Sequence, residues 1–419
     1  MTRAVLAQTN CGRSADSCGT GGVGAPERLP STMARLRHVA LIVDAADPYD
    51  RKIISGVGAY VKEVGNWSLY VETDPLEKLP DLRRWQAHGI IADFDDRKVA
   101  AVVRGLGIPV VGVGGGYGWY DPATGIPYFA SDNEQIARLA AEHLLDRGFR
   151  RLAYYGYPRT RTNGWSEDRA RAFKQRAAEA GIECSIYTGR RETARKWRDL
   201  QQGLTAWLRS LRTPVGLMGC NDAGARHVLE ACRTIGARVP EDVALIGVDN
   251  DETICDLTSP PLSSVEQGAR RMGYEAAALL DRLISRRKPS QLRFVIEPEG
   301  VVVRRSTDTL AIEDPDVALA VRFIRDRACE GITVYDVVRQ VAVSRSTLEN
   351  RFKTVMGRTI HAEIERVRIE RAKELIAQTV LPLKQVAAQA GFKYVQYLTK
   401  LFRLRLGQTP GEFRNHARR

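Results

Sequence analysis

The sequence predicts two parts in tandem. An α/β region folded as two lobes occupies residues 35–309, and an all-α domain with two helix-turn-helix motifs occupies residues 318–419. Three observations lead there. From His38 to about Arg305, apolar strands alternate with amphipathic helices. Near the end of the chain one helix–turn–helix pattern occurs twice, over Ile332–Gly357 and Leu381–Gly407. The charge is also uneven. From Asp316 on, 20 Lys and Arg face 10 Asp and Glu, a net of +10 in a chain whose total is +13. At 419 residues, 44% hydrophobic and 27% charged, the chain is long and apolar enough for two or three packed domains.

Taken in order, residues 1–34 are rich in Gly, Ser, Thr and Ala and lack periodicity, so they are expected to form a disordered extension. They hold no apolar core of the kind a secretion signal needs. Met33, just before the first strand, reads as the natural start. Strands are expected at Val39–Val43, Trp67–Val71, Gly89–Ala92, Pro109–Val113, Arg151–Tyr155, Glu183–Tyr187, Val215–Met218 and Val243–Val248. Helices are expected at Asp50–Val64, Asp132–Arg147, Glu167–Ala180, Asp222–Ile235 and Gln267–Ile284. Repeated βα units imply parallel sheets covered on both faces. The short polar stretch 310–317 reads as a linker and hinge.

In the first reader copy, Val334, Val337, Val338 and Val341 share a helical face, and Ser344 caps a helix whose buried stripe is Leu348, Phe352 and Val355. In the second copy Leu383, Val386, Ala387 and Ala390 precede the Gly391 turn, and Leu398 with Phe402 repeats the pair. The helix Ile360–Gln378 would span about 28 Å at ~1.5 Å per residue. That length sets the two readers on adjacent segments of one DNA face, where major-groove faces repeat at ~34 Å. A basic balance concentrated in this domain is the electrostatic footprint of nucleic-acid binding.

This region resembles the DNA-binding domain of the AraC/XylS family. Leu348, Phe352, Ile364, Arg368, Ala372, Leu375, Ala390–Gly391–Phe392, Tyr397, Phe402 and the Gly407–Arg414 ending carry the likeness. The resemblance implies that the first reader exposes Arg345, Ser346, Glu349 and Asn350, with Lys353 toward phosphate, and the second Val395, Gln396, Tyr397 and Lys400. Ala342 stands where that family has glycine, so a left-handed turn would be strained there.

The α/β region resembles the periplasmic-binding-protein-like sensor of LacI/GalR-type regulators. Asp132–Asn133, Asn221–Asp222, Pro240–Val243, Ile246–Asn250, Gln267, Met272–Gly273 and Ala276 carry that likeness. Ligands of open α/β sheets bind beyond the carboxyl ends of strands. Tyr49, Asp50 and Arg51 follow the first strand, Asn221 and Asp222 another, and Asp249 and Asn250 a third. The resemblance adds Arg169 to these, and Trp119 and Trp165 are candidates to cover a sugar ring face. Each has a plainer reading: a helix cap for Asp222, a strand-end turn for Asp249, packing for either Trp. The resemblance of the whole, sensor followed by reader, implies a small sugar as effector, a pentose and in particular D-xylose.

Other chemistry is weakly signalled. Gly112–Gly118 resembles a phosphate loop but leads to no helix. The six histidines and seven cysteines lack metal spacing, and the cysteines read as reduced thiols. Asp95–Asp96 reads as a solvated turn pair. No catalytic constellation and no run long enough to span a membrane is present. The expectation is therefore a non-enzymatic, cytoplasmic, sugar-responsive regulator of transcription, an activator, without cofactor or metal. Its expected partners are operator DNA, a second copy of the chain and RNA polymerase. The alternative is a sugar-processing enzyme or solute-binding protein with an appended basic domain.

Overall fold

The computed structural model describes residues 36–417 apart from 73–86, 96, 117–119, 159–162, 189–196 and 313. The extension 1–34, with Met33, lies outside the described residues. The first lobe comprises β1 (Arg37–Ile42), α1 (Pro48–Val64), β2 (Trp67–Glu72), β3 (Gly89–Asp93), α2 (Arg97–Val103), β4 (Val110–Gly114) and β5 (Tyr128–Ser131). The chain then crosses to a second lobe of α3 (Asn133–Asp146), β6 (Leu152–Gly156), α4 (Gly164–Glu179), β7 (Cys184–Thr188), α5 (Trp197–Ser210), β8 (Val215–Gly219), α6 (Asp222–Ile235), β9 (Val243–Val248), α7 (Glu252–Leu257) and β10 (Ser263–Glu266). It returns to the first lobe for α8 (Ala269–Ile284) and β11 (Arg293–Ile296), then crosses back for β12 (Gly300–Val302).

Each lobe holds a six-stranded sheet, ordered β11-β5-β4-β3-β1-β2 and β12-β10-β9-β8-β6-β7. Every pairing is parallel except β10 with β12. The sequence dictates this. All six residues of Val243–Val248 are buried, which requires cover on both faces. In the first lobe Val39, Leu41, Ile91 and Val111 face α1 and α8, while Ala40, Ile42, Ile90 and Ala92 face α2. That is the period-two alternation of a strand. Each fully buried Leu or Ile contributes about 1.5–3 kcal/mol relative to exposure. The α1–α8 pair touches through two glycines: a Cβ on Gly56 would lie 1.9 Å from Arg270 O, and one on Gly273 2.1 Å from Ile53 O.

The C-terminal domain is all helical: α9 (Pro315–Arg327), α10 (Val334–Val338), α11 (Arg345–Met356), α12 (Ile360–Gln378), α13 (Leu383–Gln389), α14 (Val395–Leu406) and α15 (Pro410–Ala417). Leu348, Phe352, Leu398 and Phe402 are wholly buried, as their spacing requires. The amino half of α12 closes the core of the first reader and its carboxyl half that of the second. Two expectations are corrected here. The stretch 310–317 is not a free polar hinge: Leu310 and Ile312 pack on the reader core, Ala311 N donates to Arg147 O at 2.9 Å, and α9 already begins at Pro315. Ala342 is also unstrained, because among the described non-glycine residues only Asp249, Asn250 and Arg286 have positive φ. Gly391 does take φ +81°, and a Cβ there would lie 2.7 Å from Ala328 O.

Candidate effector cavity and DNA-reading surface

A cavity of about 270 Å³ opens beyond the carboxyl ends of β1, β3, β8 and β9, between the lobes. That is near the small end of ligand sites, which run from roughly 300 to 1,000 Å³. Asp44, Asp47, Tyr49, Asp50, Asp93 and Asp95 line it from the first lobe; Trp165, Arg169, Asn221 and Asp249 line it from the second, with Gln267 from the crossover.

Arg169 anchors the second-lobe wall. It is 2% exposed. Its Nε donates to Asn133 Oδ1 at 2.8 Å, Nη1 to Cys220 O at 2.7 Å and Nη2 to Gln267 Oε1 at 2.8 Å. Its guanidinium carbon lies 4.7 Å from the centre of the Trp165 ring. The Gln267 amide in turn donates to Asp249 Oδ1. Arg169 is thus locked by partners, and Asp249 projects from a backbone at φ 106°. Burial raises the Asp249 carboxyl well above the usual carboxylate range; the Asp222 charge adds to this and Arg169 opposes it.

The facing wall is acidic. Asp50 Oδ2 accepts from Asp44 N at 2.7 Å, and Asp95 Oδ2 from Gly115 N at 2.7 Å. Burial lifts Asp95 to about 7, opposed by the N–H groups of Gly115 and Gly116. Burial also raises Asp50 and Asp93 well above the ordinary range, and neighbouring carboxylates push the same way. Asp47 is raised chiefly by burial. Such a wall accepts hydrogen bonds through its carboxyl oxygens and, where protonated, donates them, so it suits a neutral ligand rich in hydroxyl groups. The Tyr49 hydroxyl is engaged by protein, 2.9 Å from Gly114 O and 2.8 Å from Ser131 Oγ, which leaves its ring to the cavity.

The structure therefore gathers Tyr49, Asp50, Trp165, Arg169, Asn221 and Asp249 from the expected set. Trp119 lies outside the described residues. Three expected residues do not line the cavity. Asp222 is turned away: its carboxylate accepts from Ser264 Oγ at 2.6 Å and Asp251 N at 2.8 Å. Burial raises it to about 7. It is not a helix cap either, since Asn221 caps α6 through Gly224 N. Asn250 is held by Arg304 Nη1 at 3.0 Å and by Ser264 Oγ at 2.9 Å. Arg51 donates to Ala46 O at 2.7 Å and reaches Asp251 of the second lobe at 3.5 Å. Beside it Lys52 Nζ donates to Asp249 O at 2.7 Å and pairs with Glu266, so α1 fastens one lobe to the other. The solvated-turn reading of Asp95 is also overturned, because Asp95 faces the cavity with Asp44, Asp47 and Asp93.

On the helical domain, Arg345, Ser346, Asn350 and Lys353 of α11 are exposed. Arg345 Nε pairs with Glu349 Oε1 at 2.9 Å one turn on. On α14, Gln396 and Lys400 are exposed. Val395 is not a free contact, because it packs on the second reader core. Tyr397 is tethered: its hydroxyl donates to Glu365 of α12, and its ring stands edge-on to Phe392. Tyr394, 59% exposed at the entry to α14, is a surface aromatic that the pattern did not single out. Five cysteines, 184, 220, 232, 255 and 329, are free thiols. No helix among the described residues is long and apolar enough to cross a membrane.

Two lobes around a hydroxyl-accepting cavity, followed by paired helix-turn-helix units, define a transcription regulator with an effector-sensing domain. Family matches follow the same division: residues 38–134 match the XylR N-terminal domain, 141–307 a periplasmic binding protein-like domain, and 337–416 a helix-turn-helix domain. The chain is 36% identical over 381 residues to the xylose operon regulatory protein of Escherichia coli K12, covering 90% of this chain and 97% of that one. It is 37% identical over 377 residues to the Haemophilus influenzae protein of the same name, with 90% and 97% covered. A solved structure described as the xylose-binding transcription activator xylR is 36% identical, with a TM-score of 0.60, covering 92% of this chain and 99% of that one. The chain belongs to the family of xylose operon regulatory proteins, and these relatives are regulators rather than enzymes.

Proposed function

We propose that the chain activates transcription of sugar-catabolic genes in response to D-xylose, binding it in the interlobe cavity and operator DNA through α11 and α14. The observation that carries this is the cavity itself: a fixed Arg169–Gln267–Asp249 chain faces a wall of carboxylates that can accept several hydroxyls at once. Tyr49 and Trp165 supply ring faces for the apolar side of a pentose. Arg345, Ser346, Asn350 and Gln396 reach base edges while Lys353 and Lys400 neutralise phosphate. The protein acts in the cytoplasm as a homodimer that engages RNA polymerase, and neither metal nor cofactor takes part. The test is thermal unfolding with D-xylose, L-arabinose, D-ribose and D-glucose. At about 100 times the Kd a ligand stabilises the native state by about 2.7 kcal/mol. At ~2–4 °C per kcal/mol, D-xylose should raise Tm by roughly 5–10 °C. A larger shift with another of these sugars reassigns the effector, and no shift with any sugar removes the reading.

A further inference from the structure

Helix α3 begins just behind the cavity wall and ends at the reader. Its first residue, Asn133, donates from Nδ2 to Gly115 O of the first lobe at 2.5 Å and accepts from Arg169 Nε at 2.8 Å. Its last residue, Asp146, holds the reader. Asp146 Oδ1 meets Arg358 Nη1 at 2.8 Å, Oδ2 meets Arg366 Nη1 at 2.9 Å, and its carbonyl accepts from Arg325 Nη2 at 2.9 Å. The 14 residues of α3 span about 21 Å at ~1.5 Å each. Ile136, Ala137, Ala140, Ala141, Leu144 and Leu145 bury that helix in the core of the second lobe, so it moves with that lobe.

The grip is built from both sides. Glu363, wholly buried at the start of α12, accepts from Arg358 Nε at 2.5 Å and Arg366 Nε at 2.9 Å. Each arginine is thereby held between a carboxylate of the reader and one of the sensor. Next to Asp146, Arg147 O accepts from Ala311 N at 2.9 Å, and a Cβ on Gly148 would lie 2.6 Å from Ile312. The backbone of the join is seated against the same end of α3.

We infer that Asp146 is a positioning residue for DNA reading. Through Arg358 and Arg366 it fixes the amino end of α12 to the second lobe, so that α3 delivers cleft closure to the reader as rigid-body movement. The inference rests on the sugar-responsive reading above. Transmission of this kind needs only that sugar favour one arrangement of the lobes.

The test uses the full chain, D-xylose, and a duplex selected from a random pool by the parent protein in the presence of D-xylose. Asp146→Asn keeps the size of the side chain and removes the charge that holds two guanidinium groups. The expected result has three parts: a D-xylose Kd without DNA within threefold of the parent, a lower Tm, and at least a fivefold fall in the ratio of DNA affinity with sugar to that without. Arg366→Gln leaves Arg358 on Asp146 and should lower the same ratio by a smaller factor, so a poorly folded Asp146→Asn does not end the test. A merely structural role would weaken DNA binding equally with and without sugar. An unchanged ratio in either folded variant overturns the inference, as does a fall explained by a weakened sugar Kd. A parent protein whose DNA binding ignores D-xylose overturns the functional reading and this inference together.

Discussion

Replacing Asp249 with glycine should abolish the sugar response and shift the stability of the sugar-free protein toward the variant as pH rises. Asp249 sits at φ 106°, where L side chains cost about 1–3 kcal/mol. Two terms oppose that relief. The bond from Gln267 Nε2 is lost, worth about 1.5–3 kcal/mol for a charged acceptor, and glycine adds about 0.5–1 kcal/mol of unfolded-state freedom. The backbone contact from Lys52 Nζ to Asp249 O at 2.7 Å survives. At mid-range the opposing pair is the larger by about 1 kcal/mol, so the variant is the more stable only where burial of the carboxyl outweighs that difference. Its folded pKa is raised well above 3.8 by that burial. An acid raised in the folded state contributes stability that is lost as pH climbs from the unfolded value through the folded one. Each pH unit inside that window shifts the balance by about 1.4 kcal/mol in favour of glycine. The balance should therefore move toward the variant as pH rises from 5 to 8. Calorimetric unfolding at both pH values, with D-xylose titrations, makes the measurement. A difference that stays flat with pH, or that moves toward the parent as pH rises, refutes the reasoning. So does a retained sugar titration.

Three further outcomes are expected. Gln396→Ala should relax preference at a single base position by about 1–3 kcal/mol, whereas Lys353→Ala should weaken all sequences alike and make the salt dependence shallower by about one unit of slope; a series of single-base operator variants at several salt concentrations separates the two. Tyr397→Phe should cost the reader about 1 kcal/mol, because its partly exposed bond to Glu365 is lost, and should leave base preference unchanged in the same series. Gly391→Ala places a Cβ 2.7 Å from Ala328 O on top of its positive φ, whereas Gly357, at φ +70°, has open space around it. The first should lower Tm by clearly more than the second, which costs only about 1 kcal/mol.

Parts of this architecture are written plainly in the sequence. Val243–Val248 is an unbroken apolar run because both of its faces are covered. Ile360–Gln378 is bounded as expected, with Thr359 capping through Ala362 N. Helix α5 is not among the expected helices, although Leu200, Leu204 and Leu208 mark it at a spacing of four. The strands β5, β10, β11 and β12 are harder to see, being three or four residues long, too short for periodicity to register. Pairing also hides them: β11 joins the first lobe beside β5, more than 150 residues earlier in the chain.

The cavity was half legible for a related reason. Asp249 and Arg169 stand in segments with a recognisable pattern. Asp44, Asp93 and Asp95 look like ordinary turn residues, and nothing local shows that two loops some 50 residues apart share one wall. Arg51 and Asn250 follow strands as ligand contacts should, yet partners elsewhere hold them. In the second reader the correction was available from spacing: Val395, Leu398 and Phe402 lie at i, i+3, i+7, which assigns Val395 to the buried stripe.

The central claim is that the cavity and the reader are coupled within one chain. The direct measurement is the DNA Kd with and without saturating D-xylose, paired with the D-xylose Kd with and without saturating DNA. Linkage requires the two ratios to agree in size and direction, and typical couplings of about 1–3 kcal/mol place them near 5- to 150-fold. Equal ratios in that range are the expected result; D-xylose binding that leaves DNA affinity untouched contradicts the claim.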